Sequence, residues 1–150
     1  MATQLKDFAT SVVAVVEPET TALVVAQLMR KHHIGALVVV DPQEKSRPVG
    51  IVTDRDLVLE LIAEGLEPAI FTAGDIMSVD LVLATPDMDA MEAVELMKTH
   101  RLRRLVITDD AGRLVGIATM EDVLELLTRE LANLAAGLSG ARDREIDERG

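Results

Sequence analysis

Cysteine, tryptophan and tyrosine are absent from this 150-residue sequence, and only two phenylalanines occur. Without cysteine the chain has no disulfide, no thiolate nucleophile and no cysteine-ligated metal site, which fits a reducing compartment. The lack of aromatic side chains also removes the stacking platforms that single-stranded nucleic acid uses. Aliphatic residues and methionine must therefore fill the core of the protein.

Positive charge and long apolar segments are also scarce. The chain has 15 Lys and Arg against 26 Asp and Glu, a formal net charge of −11, so nucleic acid is not expected as a main partner. No apolar run approaches the roughly 18 residues of a membrane span. Residues 1–10 lack the apolar core of a signal peptide. We expect a cytoplasmic protein that does not associate with a membrane.

What the sequence does contain is an internal repeat. Residues 18–41 align with residues 86–109 at an offset of 68, and residues 50–57 align with residues 116–123 at an offset of 66. The two-residue difference falls in a single loop. Length alone suggests one domain, whereas the repeat predicts two half-sized copies that cover each other's apolar faces and share one core.

Each copy is predicted to form a strand, a helix, two strands and a closing helix. The fold class is therefore α/β (α+β), with two β-α-β-β-α repeats packed as a pseudo-two-fold pair. The strands are predicted over 12–16, 36–40 and 49–52 in the first copy and over 81–84, 105–108 and 114–118 in the second. Near-continuous apolar sequence in the central strands indicates that both of their faces are covered.

The helices are predicted from the spacing of their apolar residues. The first helix of each copy is expected to bury Ala22, Ala26 and Met29, or Ala90, Val94 and Met97. The closing helices are expected to begin near Asp54 and Met120, and the first of them to bury Leu57, Val58, Leu61 and Ile62. The predicted boundaries are 10–64 for the first repeat, 65–77 for a connector, 78–135 for the second repeat with an extended C-terminal helix, and 139–150 for a loose polar tail.

Two copies of the pattern Gly-apolar-x-Thr-x-x-Asp, at 50–56 and 116–122, each follow an apolar strand and precede an apolar helix. Together with the order of strands and helices, they resemble a tandem pair of cystathionine-β-synthase-type (CBS) domains, often called a Bateman module, over about residues 10–135. One such heptapeptide is a weak signal, whereas two in register are specific. Segments 33–37, 50–57 and 63–68 are similar to those of small stand-alone bacterial CBS pairs, including the hypoxic-response type.

The resemblance implies two clefts between the repeats that take adenosine-containing ligands, namely AMP, ADP, ATP, S-adenosylmethionine or dinucleotides. In such clefts the Asp binds ribose hydroxyls, and the Thr hydroxyl and nearby backbone amides face phosphate. No cofactor is required. The candidate ligand-binding residues are Thr53 and Asp56 for one cleft, Thr119 and Asp122 for the other, Arg103 and Arg104 as phosphate contacts, and Gly35 and Ala36 at the matching positions of the first copy.

Thr-x-x-Asp before an apolar segment also has a purely structural explanation. Thr at the N-cap and an acidic residue three positions later approximate a capping box, which stabilises the start of a helix. The two roles are compatible, because a helix that starts at a strand end presents unpaired amides and a positive dipole end to an anion. An ionised Asp56 accepts hydrogen bonds only, so it suits a ribose diol and repels phosphate.

Arg101, Arg103 and Arg104 form a local basic cluster in an acidic chain. The cluster is either a solvated strand start with weak exposed ion pairs or an anion site, since Arg can bind phosphate in a bidentate way. Residues alternate sides along a strand, so we expect only one of Arg103 and Arg104 to point into a given cleft. His100 beside the cluster would make ligand affinity pH-sensitive.

No catalytic or metal-binding constellation is recognisable in the sequence. It offers no nucleophile with a neighbouring base, no metal-ligand spacing and no P-loop, so we do not expect an enzyme. His32 and His100 fall near predicted helix C-termini, where the helix dipole favours basic side chains. We therefore expect no metal site at the histidines.

The final helix of the second copy carries leucines at alternating spacings of 3 and 4, a pattern typical of a coiled-coil seam. They are Leu124, Leu127, Leu131, Leu134 and Leu138. The first two are expected to pack on their own domain. The last three then need another surface, and we expect a homodimer formed through them.

These features favour a non-catalytic regulatory module. An adenosine-containing ligand between the repeats would change their relative position or the dimer geometry and so signal to a separate, unidentified effector protein. The alternative is a scaffold or interaction homodimer whose clefts bind no nucleotide. Gly35, in place of a basic residue, and the acidic excess favour this alternative for the second cleft.

Overall fold

Each half of the chain folds into a small β-sheet with helices on one face. The computed structural model describes residues 3–11 and 14–149, so Val12 and Val13 of the first predicted strand lie outside the described residues. The elements in chain order are a 3-10 turn at Leu5–Asp7, β1 at Thr10–Ser11, β2 at Val15–Val16, α1 at Ala22–His32, β3 at Ala36–Val40, β4 at Pro48–Thr53, α2 at Asp54–Leu57 with a π-helical turn at Val58–Ile62, α3 at Ala73–Ile76, β5 at Leu83–Ala84, α4 at Ala90–His100, β6 at Arg104–Thr108, β7 at Leu114–Thr119 and α5 at Met120–Arg149.

Both sheets join a parallel pair of strands to an antiparallel hairpin. The first has the order β2-β3-β4 and the second the order β1-β7-β6-β5. β2 and β5 run parallel to β3 and β6, and the two hairpins have equivalent registers, with Ala36 opposite Thr53 and Arg104 opposite Thr119. The predicted fold class and the order of elements within each repeat are confirmed.

The central strands are buried on both faces, as their continuous apolar sequence predicts. In β3, Leu37 and Val39 belong to the core beneath the helices of the first half. The alternate residues Val38 and Val40 pack with Val106 of β6, in a cluster between the two sheets. The sheets therefore stack face to face, and each carries its helices on its outer side.

The buried face of α1 and α4 differs by one position from the prediction. The residues buried are Ala22, Val25 and Met29 in α1 and Ala90, Ala93 and Met97 in α4. Ala26 and Val94 are only partly buried. The buried residues of both helices therefore follow the spacing i, i+3, i+7 instead of the predicted i, i+4, i+7. Both spacings place the three side chains on one face of a helix.

The helix that closes the first repeat buries fewer residues than predicted. Leu61 is buried and Leu57 partly buried, but Val58 and Ile62 are 50% and 68% exposed. The prediction assumed the angular spacing of an α-helix. The turn at Val58–Ile62 is π-helical, with i→i+5 hydrogen bonds, and it therefore directs these side chains differently.

The connector and the N-terminal segment form equivalent turns that the repeat alignment did not include. The turn after Gln4 and the turn after Thr72, 68 residues apart, both begin with a capping box, closed by Asp7 and Asp75 respectively. The structural repeat therefore begins upstream of residues 10 and 78. The sequence of the two turns differs too much for the alignment to extend there.

These two turns are exchanged between the halves. The Leu5 amide donates to the Met88 carbonyl of the second half, and the equivalent Ala73 amide donates to the Thr20 carbonyl of the first. The strands that follow are exchanged as well, because β1 pairs with β7 and Ser78 pairs with Ile51 of β4. Leu5 is fully buried in the core of the second half, so each half completes the core of the other.

The C-terminal helix is longer than predicted. Residues 139–150, expected as a loose tail, continue α5 as far as Arg149. The polarity of this segment suggested a tail, but its Ala, Arg and Glu residues favour helix, and Arg144 Nε bonds to Glu148 Oε1 at 3.0 Å one turn away. Neither this helix nor any other helix of the described residues is long and apolar enough to span a membrane.

The five leucines of the α5 stripe are exposed in the single chain. Val123 is the buried residue of this helix, whereas Leu124 and Leu127 are 58% and 38% exposed. The prediction that these two leucines pack on their own domain is therefore wrong. Val123 faces the core of the second half. The leucine stripe therefore lies on another face of the helix, which remains exposed.

Candidate functional site

A cavity of about 430 Å³ lies where the end of β4 meets the segment that leads into β6. Its lining includes Thr53 and Asp56 from the first half and Arg101, Arg103 and Arg104 from the second. The structure thus brings together the candidates for one cleft and the basic cluster. The volume falls within the range of about 300–1,000 Å³ that is usual for small-molecule sites.

Thr53 and Asp56 are held by a capping box at the junction of β4 and α2. Thr53 Oγ1 accepts a hydrogen bond from the Asp56 amide at 3.2 Å, and Asp56 Oδ2 accepts one from the Thr53 amide at 2.8 Å. Thr119 and Asp122 form the same box at the start of α5, at 3.0 and 3.1 Å. The structural role of Thr-x-x-Asp is therefore confirmed in both halves.

The capping box leaves these side chains some capacity to bind a ligand. The Thr53 hydroxyl accepts in the box, so its own proton remains available to donate. The box engages only Oδ2 of Asp56, one of two carboxylate oxygens. A hydroxyl donor and a carboxylate acceptor therefore stand side by side in the lining of the cavity.

The backbone amides at the start of α2 do not have this capacity. The Asp54 amide donates to the Gly35 carbonyl at 2.9 Å, the Arg55 amide to Asp54 Oδ1 at 2.8 Å, and the Asp56 amide to Thr53. The expectation that unpaired amides of this helix start would meet an anion is wrong. The side chains of Thr53 and Asp54 and the backbone carbonyl of Gly35 already satisfy them.

The three arginines come from consecutive parts of one connection, between α4 and β6. Arg101 ends α4 in the left-handed conformation, the Arg103 carbonyl accepts from the Met120 amide at 2.8 Å, and Arg104 begins β6. Within residues 3–11 and 14–149, no carboxylate lies within 4.0 Å of these three guanidinium groups. Their charge is thus available to an anion.

Arg103 and Arg104 both line this cavity. The expectation that only one of them would do so is wrong, because Arg103 lies before the first residue of β6, where strand alternation does not apply. Arg104 reaches across to the first half: a Cβ built on Gly35 would lie 3.4 Å from Arg104 Nη2 and 3.1 Å from Asp54 Oδ2.

The other candidates do not line this cavity. Gly35 lies against Arg104 at its edge, and Ala36 pairs with Thr53 in the sheet. Thr119 and Asp122 cap α5 in the opposite half. By the repeat, Gly35 and Ala36 stand where Arg103 and Arg104 stand in the second copy, so a second cleft beside Thr119 and Asp122 would have no arginines at these positions.

One part of the lining, the segment that follows the connector, was not predicted from the sequence. Ser78 and Asp80 line the cavity, together with the apolar residues Ile51, Leu81, Val82, Leu102 and Val106. The repeat gives no signal for this segment, because residues 10–13 and 78–81 share no identical pair at the offset of 68. The lining combines carboxylates, guanidinium groups and an apolar wall, a mixture that suits a ligand with hydroxyl, anionic and flat apolar parts.

The histidines take no part in this cavity. His100 is exposed at the end of α4 and is not among the lining residues of the described chain. Among the same described residues, no group of three or more His, Cys, Asp and Glu side chains is arranged to hold a metal ion. His100 therefore makes no contact in this cavity through which its protonation could change ligand affinity.

One family profile matches two segments of the chain, and known proteins are similar to most of it. The family profile described as "CBS domain" matches residues 5–63 and residues 73–129. An uncharacterized protein of Methanopyrus kandleri is 45% identical over 109 residues, which cover 73% of this chain and 55% of that protein. CBS domain-containing protein YhcV of Bacillus subtilis is 37% identical over 133 residues, 89% of each chain.

Solved structures show the same architecture. An uncharacterized conserved protein from Pyrococcus horikoshii has a TM-score of 0.76 at 28% identity, over 84% of this chain and 92% of that one. Hypoxic Response Protein I, solved with two coordinated zinc ions, has a TM-score of 0.71 at 32% identity, over 82% and 98% of the two chains. The profile matches, the relatives and the fold agree: the chain belongs to the CBS-domain family and carries two CBS domains in tandem.

Proposed function

We propose that this CBS pair is a non-catalytic regulatory module that binds an adenosine-containing ligand in the cavity between its two halves. AMP, ADP, ATP and S-adenosylmethionine are the candidates. The observation that carries the proposal is the meeting of Thr53 and Asp56 from one domain with Arg101, Arg103 and Arg104 from the other around about 430 Å³ of space.

The chemistry of the lining matches the parts of such a ligand. Asp56 accepts hydrogen bonds from the ribose hydroxyls, and the Thr53 hydroxyl donates its proton to a phosphate oxygen. The arginines bind phosphate through charge-assisted hydrogen bonds, which replace the backbone amides that α2 does not offer. The apolar residues of the wall contact the adenine ring.

Regulation follows from the fact that the two walls of the cavity belong to different domains. A ligand that contacts both walls favours the relative position of the domains in which its contacts are best, and this differential affinity is the signal. The output passes to a separate effector protein. A second copy of the chain is a further proposed partner, through Leu131, Leu134 and Leu138.

Thermal unfolding of the purified protein with AMP, ADP, ATP or S-adenosylmethionine tests ligand binding. A ligand that binds the folded state raises the apparent melting temperature, and the rise grows with ligand concentration. Asp56→Ala should abolish the rise. Asp75→Ala removes an equivalent capping box outside the cavity, so it should lower the starting stability by about 1 kcal/mol and keep the rise.

A scaffold without a nucleotide is the second candidate function. It is favoured by the capping boxes, which give Thr53, Asp56, Thr119 and Asp122 a structural role without any ligand. No melting shift and no calorimetric heat with any of the four ligands at millimolar concentration would support it over the sensor. Turnover of a ligand by the purified protein would contradict the non-catalytic role.

Sedimentation of a chain that ends at Thr128 tests the role of the leucines in a dimer. This chain keeps both CBS domains and lacks Leu131, Leu134 and Leu138, so we expect it to be monomeric where the full chain is dimeric. A dimer of unchanged strength would remove these leucines from the interface.

A further inference from the structure

The leucine stripe of α5 has the spacing of a coiled-coil seam. Leu124, Leu131 and Leu138 occupy the first core position of successive heptads, and Leu127 and Leu134 occupy the second, followed by Ala141. All five leucines are between 38% and 67% exposed in the single chain. The seam thus covers six core positions over five helical turns, about 27 Å of helix.

A second copy of the chain is the occupant that fits this seam. The seam is regular along its whole length, and a helix of equal length and equal spacing fills every one of its positions. A single chain leaves all of these side chains in water, at a cost that pairing removes.

We propose that α5 pairs in an antiparallel direction with α5 of a second copy, in the register that places Leu131 opposite Leu134 of the partner subunit. The same register places Leu138 opposite Leu127 of the partner subunit, and Leu124 opposite the partner subunit's Ala141. Each of the six core positions of one helix then faces a core position of the other helix. This inference rests on the proposed homodimer and adds the direction and register of its helices.

The charges beside the seam favour this direction. Glu121, at the start of α5, and Arg142, near its end, lie on the same flank of the seam. Antiparallel pairing in this register brings Glu121 against Arg142 of the partner subunit, and symmetry repeats the contact. It also opposes the dipoles of the two helices.

A parallel pair fills the same core positions without these contacts. Its flanking positions pair Glu130 with the partner subunit's Ala135, and Gly137 with the partner subunit's Arg142, so no opposite charges meet. It also places the two acidic starts of α5, with Glu121, Asp122 and Glu125, side by side. In a chain with a net charge of −11, that arrangement adds repulsion between like ends.

The absence of cysteine from the sequence allows a direct test by disulfide trapping. In the antiparallel register, residue 127 of one copy lies about 16 Å along the axis from residue 127 of the other, beyond the reach of a disulfide. Leu127→Cys alone and Leu138→Cys alone should therefore stay uncrosslinked under mild oxidation. A mixture of the two variants should give a covalent heterodimer, and the double variant a doubly linked homodimer.

Arg129→Cys is the matched control, because it is exposed on α5 on the side away from the seam and should not crosslink in any combination. Efficient crosslinking of Leu127→Cys or Leu138→Cys with itself would show a parallel pair and overturn the proposal. The absence of any crosslink would overturn it too. All of these substitutions lie at exposed positions, so folding is retained, and circular dichroism checks it.

A charge-reversal cycle provides an independent measurement. Glu121→Arg and Arg142→Glu should each weaken the dimer roughly tenfold in sedimentation, and the double variant should restore it. Arg129→Glu, which lies off the seam, should leave the dimer unchanged. Additive weakening in the double variant would contradict the pairing. Ligand binding, followed by the melting shift, is measured separately, so failure of this interface and failure of the sensor are distinguishable.

Discussion

At the scale of single residues, His33 and Arg101 are unusual. They end α1 and α4 at equivalent positions with φ of 54° and 55°, in the left-handed region where glycine is the common residue. A residue with a Cβ pays roughly 1–2 kcal/mol for this conformation. Arg101 belongs to the lining of the cavity, whereas His33 does not.

Replacing Arg101 by glycine should raise the stability of the protein and lower its affinity for a ligand. We expect Arg101→Gly to raise the free energy of unfolding by about 1 kcal/mol in urea titration and to weaken binding of a phosphate-bearing ligand in calorimetry. His33→Gly is the control and should raise stability equally without changing affinity. Unchanged affinity in Arg101→Gly would exclude this arginine from ligand contact.

Asp109 gives the hairpin of the second half a pH-dependent contact. Its carboxylate accepts from the Arg113 and Ala111 amides and from Arg113 Nε, each at 2.9 Å. The hydrogen bond from the Arg113 amide is the main cause that lowers the pKa of Asp109 below its ordinary value of 3.8. The stabilisation is therefore present above that ordinary value and is lost as the pH falls through the lower pKa of the folded state.

Asp109→Asn should accordingly be less stable than the natural protein at neutral pH. The gap in melting temperature between the two should close as the pH is lowered from about 5 to about 2, because the natural carboxylate becomes protonated. A gap that stays constant over this range would show that the charge of Asp109 does not contribute.

The sequence predicts those site residues whose signal is local in the chain. Thr53, Asp56 and the arginines were predicted from a motif and a charge cluster, both of which are local in sequence. The occupied amides of α2 were not predicted, because one of them donates to the carbonyl of Gly35, the residue before β3, and the sequence does not show which segment lies beside a helix start.

At the scale of elements, the exchanged turns decide how the cores are completed. Leu5 is fully buried, yet it lies in a three-residue turn near the N-terminus that no periodic pattern marks. The repeat, the buried strands and the hairpins were predictable because each depends on a long regular pattern. The exchange depends on contacts between distant segments, and the short segments that make it carry too little pattern to predict it.

Leu5→Ala should therefore destabilise the second domain strongly. We expect a loss of about 2–5 kcal/mol in the free energy of unfolding, measured in urea, because the substitution leaves a cavity in a closed core. Leu23→Ala, at an exposed position of α1, should change stability by no more than about 0.5 kcal/mol. Equal effects of the two substitutions would contradict the docking of the N-terminal turn.

Gly50 allows the exchanged connector to approach β4 closely. A Cβ at this position would lie 2.5 Å from Met77 Sδ and 3.1 Å from the Ser78 carbonyl oxygen. Gly50→Ala should destabilise by about 1–3 kcal/mol, as overpacking does. Gly137→Ala, in open space on α5, should instead stabilise by roughly 0.5–1 kcal/mol. Thermal unfolding of both variants checks the opposite signs.

At the scale of the whole molecule, the two halves share one fold but differ in charge. The cavity at Thr53 and Asp56 receives Arg101, Arg103 and Arg104, whereas the matching positions of the first copy are His33, Gly35 and Ala36. In a chain of net charge −11, a cleft without arginines repels a phosphate. The backbone is thus pseudo-symmetric, whereas the arginines are present in one half only at these positions.

We therefore expect one anionic nucleotide to bind per chain. Isothermal titration with ATP should give a stoichiometry near one, and Asp122→Ala should leave the affinity unchanged while Asp56→Ala removes it. Two equivalent sites per chain would contradict the assignment of binding to the arginine-lined cavity alone.

Because the two halves exchange their first segments, neither half completes its own core. A half-length chain from Thr72 onward holds a turn that docks on a domain other than its own and a domain that requires such a turn. Two copies of it meet both needs reciprocally, which is the condition for a closed two-fold dimer. The contacts that join the two domains here are therefore the ones by which two copies of such a half-length chain would pair with each other.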